Sequence, residues 1–271
     1  TGCRAVIVAK TYETELTGLT DQLVALEHII VREHDYENWL LGFSDEDPEL
    51  DINPDDWFII RHTGGTTGKP KGVGYSHRSW LAAGRDWFYN FPPMEAGDVC
   101  LHAGPISHGS GYLFTPTWLS GGANLLLDHF DTENTLRVIS ESKVGYLFLV
   151  PTMLNALVHH PLARTLDFSA LKVIQIGGAP IADETALLGR EVFGEVLYQG
   201  YGQTESTANI CILRAEDHDL EADAEKLERL KSCGRDHSSH EIRILDPDGL
   251  ELESGNVGDI CVQSSSVMEG S

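Results

Sequence analysis

The sequence predicts an α/β fold: layered, largely parallel sheets with flanking helices, followed by a small antiparallel β subdomain. Two observations carry this. Through residue 212, short apolar runs alternate with helical patterns. Helices of about 10–14 residues between strands act as crossover connections, and these make neighbouring strands parallel. After residue 212 the texture changes, and two strand-like runs flank a turn signal.

Taken in order, residues 4–8 (RAVIV), 57–62 (WFIIRH), 99–102, 123–127 (ANLLL), 144–150 and 171–176 (LKVIQI) read as strands. Between them, residues 76–88 read as a helix with a serine available to cap it. Residues 131–142 (DTENTLRVISES) open with acids suited to the positive end of a helix. Residues 151–160 begin with Pro151 at the first turn, where a missing N–H costs nothing. Residues 181–193 make the fourth helix. Residues 44–56 (SDEDPELDINPDD) carry seven acids and no base, and read as an exposed connector. Residues 215–231 are strongly charged and read as a solvated helix or loop. Residues 240–245 (HEIRIL) and 258–263 (GDICVQ) form the β tail, with the turn Asp246-Pro247-Asp248-Gly249 between them. A calcium loop there lacks the spaced ligand series and the distal glutamate.

Composition excludes several classes. A chain of 271 residues with 41% hydrophobic and 23% charged residues buries a real core and is not disordered. The charge, 19 − 42 = −23, repels phosphate backbones and anionic lipid, so nucleic acid and membrane surfaces are poor partners. The longest nearly apolar run, residues 144–151, is too short to be a transmembrane segment. No signal or transit segment opens the chain, and its start at Thr1 reads as an excised piece. The five cysteines are scattered without a CxxC pair, which points to reduced thiols in a cytoplasmic protein. The pairs His159-His160 and His237-x-x-His240 lack a nearby cysteine or a third ligand at useful spacing, so a metal role for them is not expected.

The most informative stretch is residues 63–72, TGGTTGKPKG. Three threonines, four glycines and two lysines follow a strand. Glycine lets backbone N–H groups converge on an anion, threonine hydroxyls add donors, and lysines add charge. The window 61–85 holds five bases (Arg61, Lys69, Lys71, Arg78, Arg85) and no acid, a positive island that attracts a polyphosphate. A Walker A loop is excluded: three residues separate Gly64 from Gly68, and Pro70 stands where a magnesium-binding hydroxyl is required.

TGGTTGKPKG resembles the phosphate loop of the AMP-forming adenylating enzymes, which include acyl- and aryl-CoA ligases, luciferase-like proteins and peptide-synthetase adenylation domains. Residues 198–206 (YQGYGQTES) resemble the family's Tyr-Gly-x-Thr-Glu motif, Gly177-Gly178-Ala179-Pro180 its adenine-binding turn, and residues 255–262 (GNVGDICV) its weaker Gly-Glu-x-Gly-Glu-Ile motif. All four occur in the family's order, and the likeness runs from about Asp55 to Gly270. Residues 104–111 (GPISHGSG) resemble the Pro-Leu-x-His-x-x-Gly segment of acyl-CoA ligases rather than the Phe-Asp-x-Ser of peptide synthetases.

The resemblance implies ATP, coenzyme A and a small-molecule carboxylic acid as substrates, with Mg2+. Thr63, Gly64, Gly65, Thr66, Thr67, Gly68 and Lys71 would hold the departing phosphates. Tyr201, within the Gln199-Gly200-Tyr201-Gly202 run, would lie against adenine, with Gly177, Gly178, Ala179 and Pro180 opposite. Gln199, Gly200, Gly178 and His108 would line the acid pocket. Thr204 would donate to the α-phosphate and Glu205 would bind the metal, leaving Lys71, Thr204 and Glu205 as the catalytic set. The implied reaction joins a fatty or aryl acid to AMP and passes it to coenzyme A. The alternatives are loading of a carrier-protein thiol, or a non-catalytic nucleotide-binding relic. By the same resemblance, residues 1–212 are the α/β part of the large N-terminal AMP-binding domain, truncated at its front, and residues 213–271 are a charged connector and the start of the β subdomain. The family's later Thr-Gly-Asp segment, hinge and C-terminal domain are missing, so the piece alone is expected to be inactive.

Overall fold

The computed structural model describes residues 2–34, 36–63, 70–218 and 229–270. The chain forms two compact units, Thr1–Ile52 and Asn53–Ser271. In the first, β1 (Ala5–Val8) pairs in parallel with β2 (His28–Val31), and the short helix α1 (Glu13–Thr17) lies between them in sequence. A second short helix, α2 (Tyr36–Leu40), follows. Strand β2 was not anticipated: its four residues (HIIV) carry little pattern of their own and become a strand by pairing with β1.

The second unit opens with an antiparallel hairpin of β3 (Trp57–Thr63) and β4 (Lys71–Ser76). Ser76 then caps α3 (His77–Asn90): its hydroxyl accepts from the Ser79 N–H, and the Ser79 hydroxyl accepts from the Ser76 N–H. This reciprocal box satisfies two backbone donors that a helix start otherwise leaves open.

Next come β5 (Val99–His102), α4 (Phe114–Leu119), β6 (Ala123–Leu126), α5 (Thr132–Glu141), β7 (Tyr146–Leu149), α6 (Pro151–His159), β8 (Val173–Ile176) and α7 (Asp183–Phe193). They continue into β9 (Leu197–Gln203), β10 (Ala208–Leu213) and β11 (Arg235–Asp236). One seven-stranded sheet holds the order β11-β10-β9-β8-β7-β5-β6. The pairs from β9 to β6 are parallel, and β10 and β11 add antiparallel strands at the edge. The expected mixed α/β architecture with its largely parallel sheet is therefore present.

Both faces of this sheet are covered, so adjacent residues of one strand enter different cores. Leu101, Leu147 and Ile174 pack with Leu136, Leu154 and Phe193. Their neighbours Cys100, Tyr146 and Val173 pack with Trp87 of α3 and with Phe91 just beyond it. That is why these strands read as continuous apolar runs rather than alternating ones.

The tail is the expected antiparallel pair, β12 (Glu241–Leu245) and β13 (Asp259–Gln263). The Asp246 carboxylate accepts from the N–H groups of Asp248 and Leu250, which closes the turn. Of the charged stretch 215–231, residues 219–228 lie outside the described residues, and Ala215–His218 form a short 3₁₀ turn. All five cysteines are free. Among the described residues no helix is long and apolar enough to cross a membrane.

Candidate functional site

The order of strands locates the site. From β5 the chain steps to β6 on one side, while β7, β8 and β9 follow on the other. The loops beyond the carboxyl ends of β5 and β7 therefore diverge and leave a crevice, which is where open parallel sheets bind ligands. A cavity of about 330 Å3 occupies that crevice. His108 and Ser110 reach it from the loop after β5, Phe148 from β7, Gly177 and Gly178 from the turn after β8, and Gly200, Gly202 and Thr204 from β9 and beyond. A second cavity of about 250 Å3 shares His108, Gly109, Tyr112 and Thr204 with the first and adds Arg61, His62 and Thr63. Thr63 at the end of β3, the segment around His108, and Thr204 thus line one continuous cleft.

The hairpin presents the loop by its register. Thr63 pairs with Lys71 and His62 with Gly72, so the two strands clamp the ends of the intervening segment. Gly64, Gly65, Thr66, Thr67 and Gly68 lie outside the described residues. Lys71 is exposed and forms no ion pair among the described residues. Lys69 lies outside the described residues, and the other three bases of the expected positive island are less available. Arg78 pairs with Asp55 at 2.7 Å and Arg85 with Asp86 at 3.1 Å. Arg61 is buried, its Nη2 donating to the carbonyls of Ile106 at 2.8 Å and His108 at 2.7 Å. Its guanidinium also lies over Tyr112, 4.2 Å from the ring centre. Sequence reading counted Arg61 only as charge; its work holding the 106–108 segment depends on a contact that spacing does not reveal.

Glycine on the cleft floor is required by space. A Cβ on Gly200 would sit 2.1 Å from Asn209 Oδ1, and one on Gly177 would meet the Phe148 ring at 3.2 Å. Gly178 takes a left-handed φ of +86° and turns the chain out of β8. Ala179 and Pro180 follow it exposed. Gln199 is half-buried with its Oε1 unpartnered, and Tyr201 is 45% exposed. Lys71, Ala179, Pro180, Gln199, Tyr201 and Glu205 lie outside the linings of these two cavities.

The Thr-Glu turn is pinned from two directions. The Tyr75 hydroxyl donates to the Thr204 carbonyl, and the Met268 N–H donates to the Glu205 carbonyl at 2.9 Å. Burial, with Tyr112 next, pushes the Tyr75 phenol far above its ordinary range, so it stays protonated and keeps donating. Thr207 closes the turn in the left-handed region (φ 53°), and its hydroxyl donates to the Ser266 carbonyl. Glu205 is half-buried and forms no ion pair among the described residues, while the Thr204 hydroxyl is beside it in sequence. Such a hard-oxygen pair fits magnesium, which takes one or two protein ligands and keeps several waters. His108 is exposed and its Nδ1 donates to the Ser107 carbonyl, which leaves Nε2 for a ligand.

Comparison with known proteins gives a consistent result. The family model described as AMP-binding enzyme matches residues 1–271. The chain is 36% identical to a medium/long-chain-fatty-acid–CoA ligase of Mycobacterium tuberculosis over 78% of its own length and 36% of the relative's. It is 31% identical to a feruloyl-CoA synthase of Amycolatopsis over 83% of this chain and 44% of that one. Among solved structures, the amide bond synthetase McbA from Marinactinospora thermotolerans superposes with a TM-score of 0.79 at 27% identity, covering 98% of this chain and 53% of the other. The N-terminal domain of FACL13 from Mycobacterium tuberculosis gives a TM-score of 0.87 at 23% identity, covering 99% and 65%, which is a likeness of fold. The chain spans less than half the length of these two curated relatives.

Proposed function

The chain belongs to the AMP-binding enzyme family, and from that premise we propose that it carries the adenylation site of an AMP-forming acyl-CoA ligase. The observation that carries the reading is the continuous cleft at the sheet's switch point, lined by Thr63, His108, Gly177, Gly178, Gly200 and Thr204. The two curated relatives bear names that specify fatty and ferulic acids, and a fatty or aryl acid is the substrate class we assign.

In this reading a carboxylate oxygen attacks the α-phosphorus of ATP, and the bond to pyrophosphate breaks. The acid lies against His108, Gly178, Gln199 and Gly200. Adenine lies between Tyr201 and the Gly177–Pro180 turn, with Gly202 at its edge. Thr204 donates to the α-phosphate, where negative charge grows in the transition state, and a positioned donor there stabilises that state more than the ground state. Lys71 and residues 63–68 hold the β- and γ-phosphates as they leave. Glu205 would hold magnesium, which supplies charge neutralisation between the phosphates. Coenzyme A thiol then attacks the acyl carbon and AMP departs. In domain terms, residues 1–212 belong to the large AMP-binding domain and residues 213–271 lead into its β subdomain.

The test is carboxylate-dependent ATP–pyrophosphate exchange on the protein at its full natural length, with short, long and aromatic acids. Exchange with one acid class, lost in Lys71→Ala and Glu205→Ala, supports the reading. Folded protein that binds ATP without exchange in any acid favours a nucleotide-binding protein without catalysis. Exchange that proceeds to a carrier-protein thiol but not to coenzyme A would reassign the acceptor.

A further inference from the structure

The sequence offered His237-x-x-His240 without a third ligand. The fold supplies one. Asp86 of α3 is brought against the pair, and one ligand atom from each of the three residues lies within 4.8 Å of the others. All three are buried, Asp86 at 2%, His237 at 5% and His240 at 9% exposure. They share a cavity of about 30 Å3 with Trp87, Gln175 and Asn209, enough for a small occupant.

Two buried oxygens at this cavity lack partners. Asp86 Oδ1 accepts from Arg85 Nη2 at 3.1 Å, but Oδ2 is unpartnered. Gln175, only 3% exposed, has an unpartnered Oε1. An orphaned carboxylate oxygen in the interior is costly unless a proton or cation meets it. Both imidazoles are held by hydroxyl and amide partners, and Ser266 Oγ lies 3.3 Å from His240 Nε2. Ser239 Oγ lies 2.8 Å from His237 Nδ1 and 3.2 Å from His240 Nδ1. Asn90 Nδ2 donates to His237 Nδ1 at 2.9 Å and also to the Asp86 carbonyl. Outer partners of this kind orient ligating histidines.

We propose that Asp86, His237 and His240 bind one divalent transition-metal cation of the zinc class. Two imidazole nitrogens and one carboxylate oxygen suit a borderline cation, with water completing the shell. The ion would cross-link α3 to the loop after β11, two segments far apart in sequence, and raise the stability of the unit that holds the cleft.

Cobalt(II) is the probe, because its visible d–d absorption reports its coordination. The chain, stripped with a chelator, is titrated with Co2+ without nucleotide or acid, so the result does not depend on the ligase reading. The expected result is one Co2+ per chain with a d–d band, displaced by Zn2+ but not by Mg2+, and a raised melting temperature. Asp86→Asn keeps the side chain's shape and is expected to weaken binding about tenfold or more. His240→Gln should do the same, whereas a His159→Ala, His160→Ala double variant should bind as the parent does. Circular dichroism checks each fold. Absence of saturable Co2+ binding in the folded parent chain overturns the proposal. So does binding unchanged in both Asp86→Asn and His240→Gln, or binding lost in the His159, His160 double variant.

Discussion

Arg61 Nη2 donates to the carbonyl oxygen of His108 at 2.7 Å, joining β3 to the 106–108 segment that borders the cleft. The same nitrogen reaches the Ile106 carbonyl, and Trp80 and Tyr112 flank the guanidinium. A Cβ on Gly111 would meet the Ile106 carbonyl at 1.8 Å, so the loop has no slack on its far side.

Arg61→Met is expected to destabilise the protein by about 3 kcal/mol, because two charge-assisted hydrogen bonds and a cation–π contact are lost from a buried site. Arg61→Lys should recover only part, since an ammonium lacks the planar fork. Urea unfolding midpoints measure both. In the exchange assay, Arg61→Met should raise the KM for acid, as the His108 segment loses its anchor.

Asp98 and Lys172 make a pair at 2.8 Å, with the carboxylate 20% exposed. Burial, the largest influence on Asp98, pushes its pKa up, but hydrogen bonds from Lys172 and from the Glu95 N–H outweigh it and leave the pKa lowered. A depressed carboxylate contributes stability above its unfolded pKa, near 4, and loses it as pH falls through the lower folded value. Asp98→Asn should therefore melt below the parent at pH 7. The gap should close as pH falls below roughly 4, read by thermal melts from neutral to acid pH.

Stability should rise with salt well beyond ordinary screening of ion pairs. The charge of −23 makes self-repulsion the dominant long-range term. Pairs such as Arg4–Glu27 and Arg137–Glu133 are exposed and have little to lose on screening. Repulsion among the unbalanced acids is relieved at the same time. Melting temperature should climb between about 0.05 M and 1 M KCl, as the Debye length shrinks from over 10 Å to about 3 Å. A falling melting temperature would show that the paired charges outweigh the unpaired ones.

Thiol reactivity should divide by burial. Cys3, Cys233 and Cys261 are exposed, whereas Cys100 and Cys211 are buried and burial pushes each up to about 12. The thiolate is the reacting form. Mass spectrometry after iodoacetamide treatment of native protein at pH 8 should find Cys3, Cys233 and Cys261 modified. Cys100 and Cys211 should appear only after unfolding in urea.

The candidate site was legible in sequence where chemistry forces a local pattern. Ser76 announced the start of α3 because a helix end must satisfy its own N–H groups nearby. Residues 104–111 and 177–180 were recognisable through their resemblance to family motifs, and the structure places them after the parallel strands β5 and β8, where loops carry ligand contacts. Strands β4 and β9 were not foreseen. Both are rich in glycine, and each is a strand because a partner pairs with it: β3 in one case, β8 and β10 in the other.

By itself the sequence determined the alternation of helices and strands through residue 193, and the residue types in the 63–72 and 198–206 motifs. These are local consequences of periodicity, capping and backbone freedom. Only the tertiary structure decided that Arg61 anchors the 106–108 segment, that Arg78 and Arg85 are already paired, and that Asp86 completes a cluster with His237 and His240. Those outcomes rest on contacts between distant segments, which form when the shared core of α3 and the sheet is packed. Spacing along the chain carries no record of them.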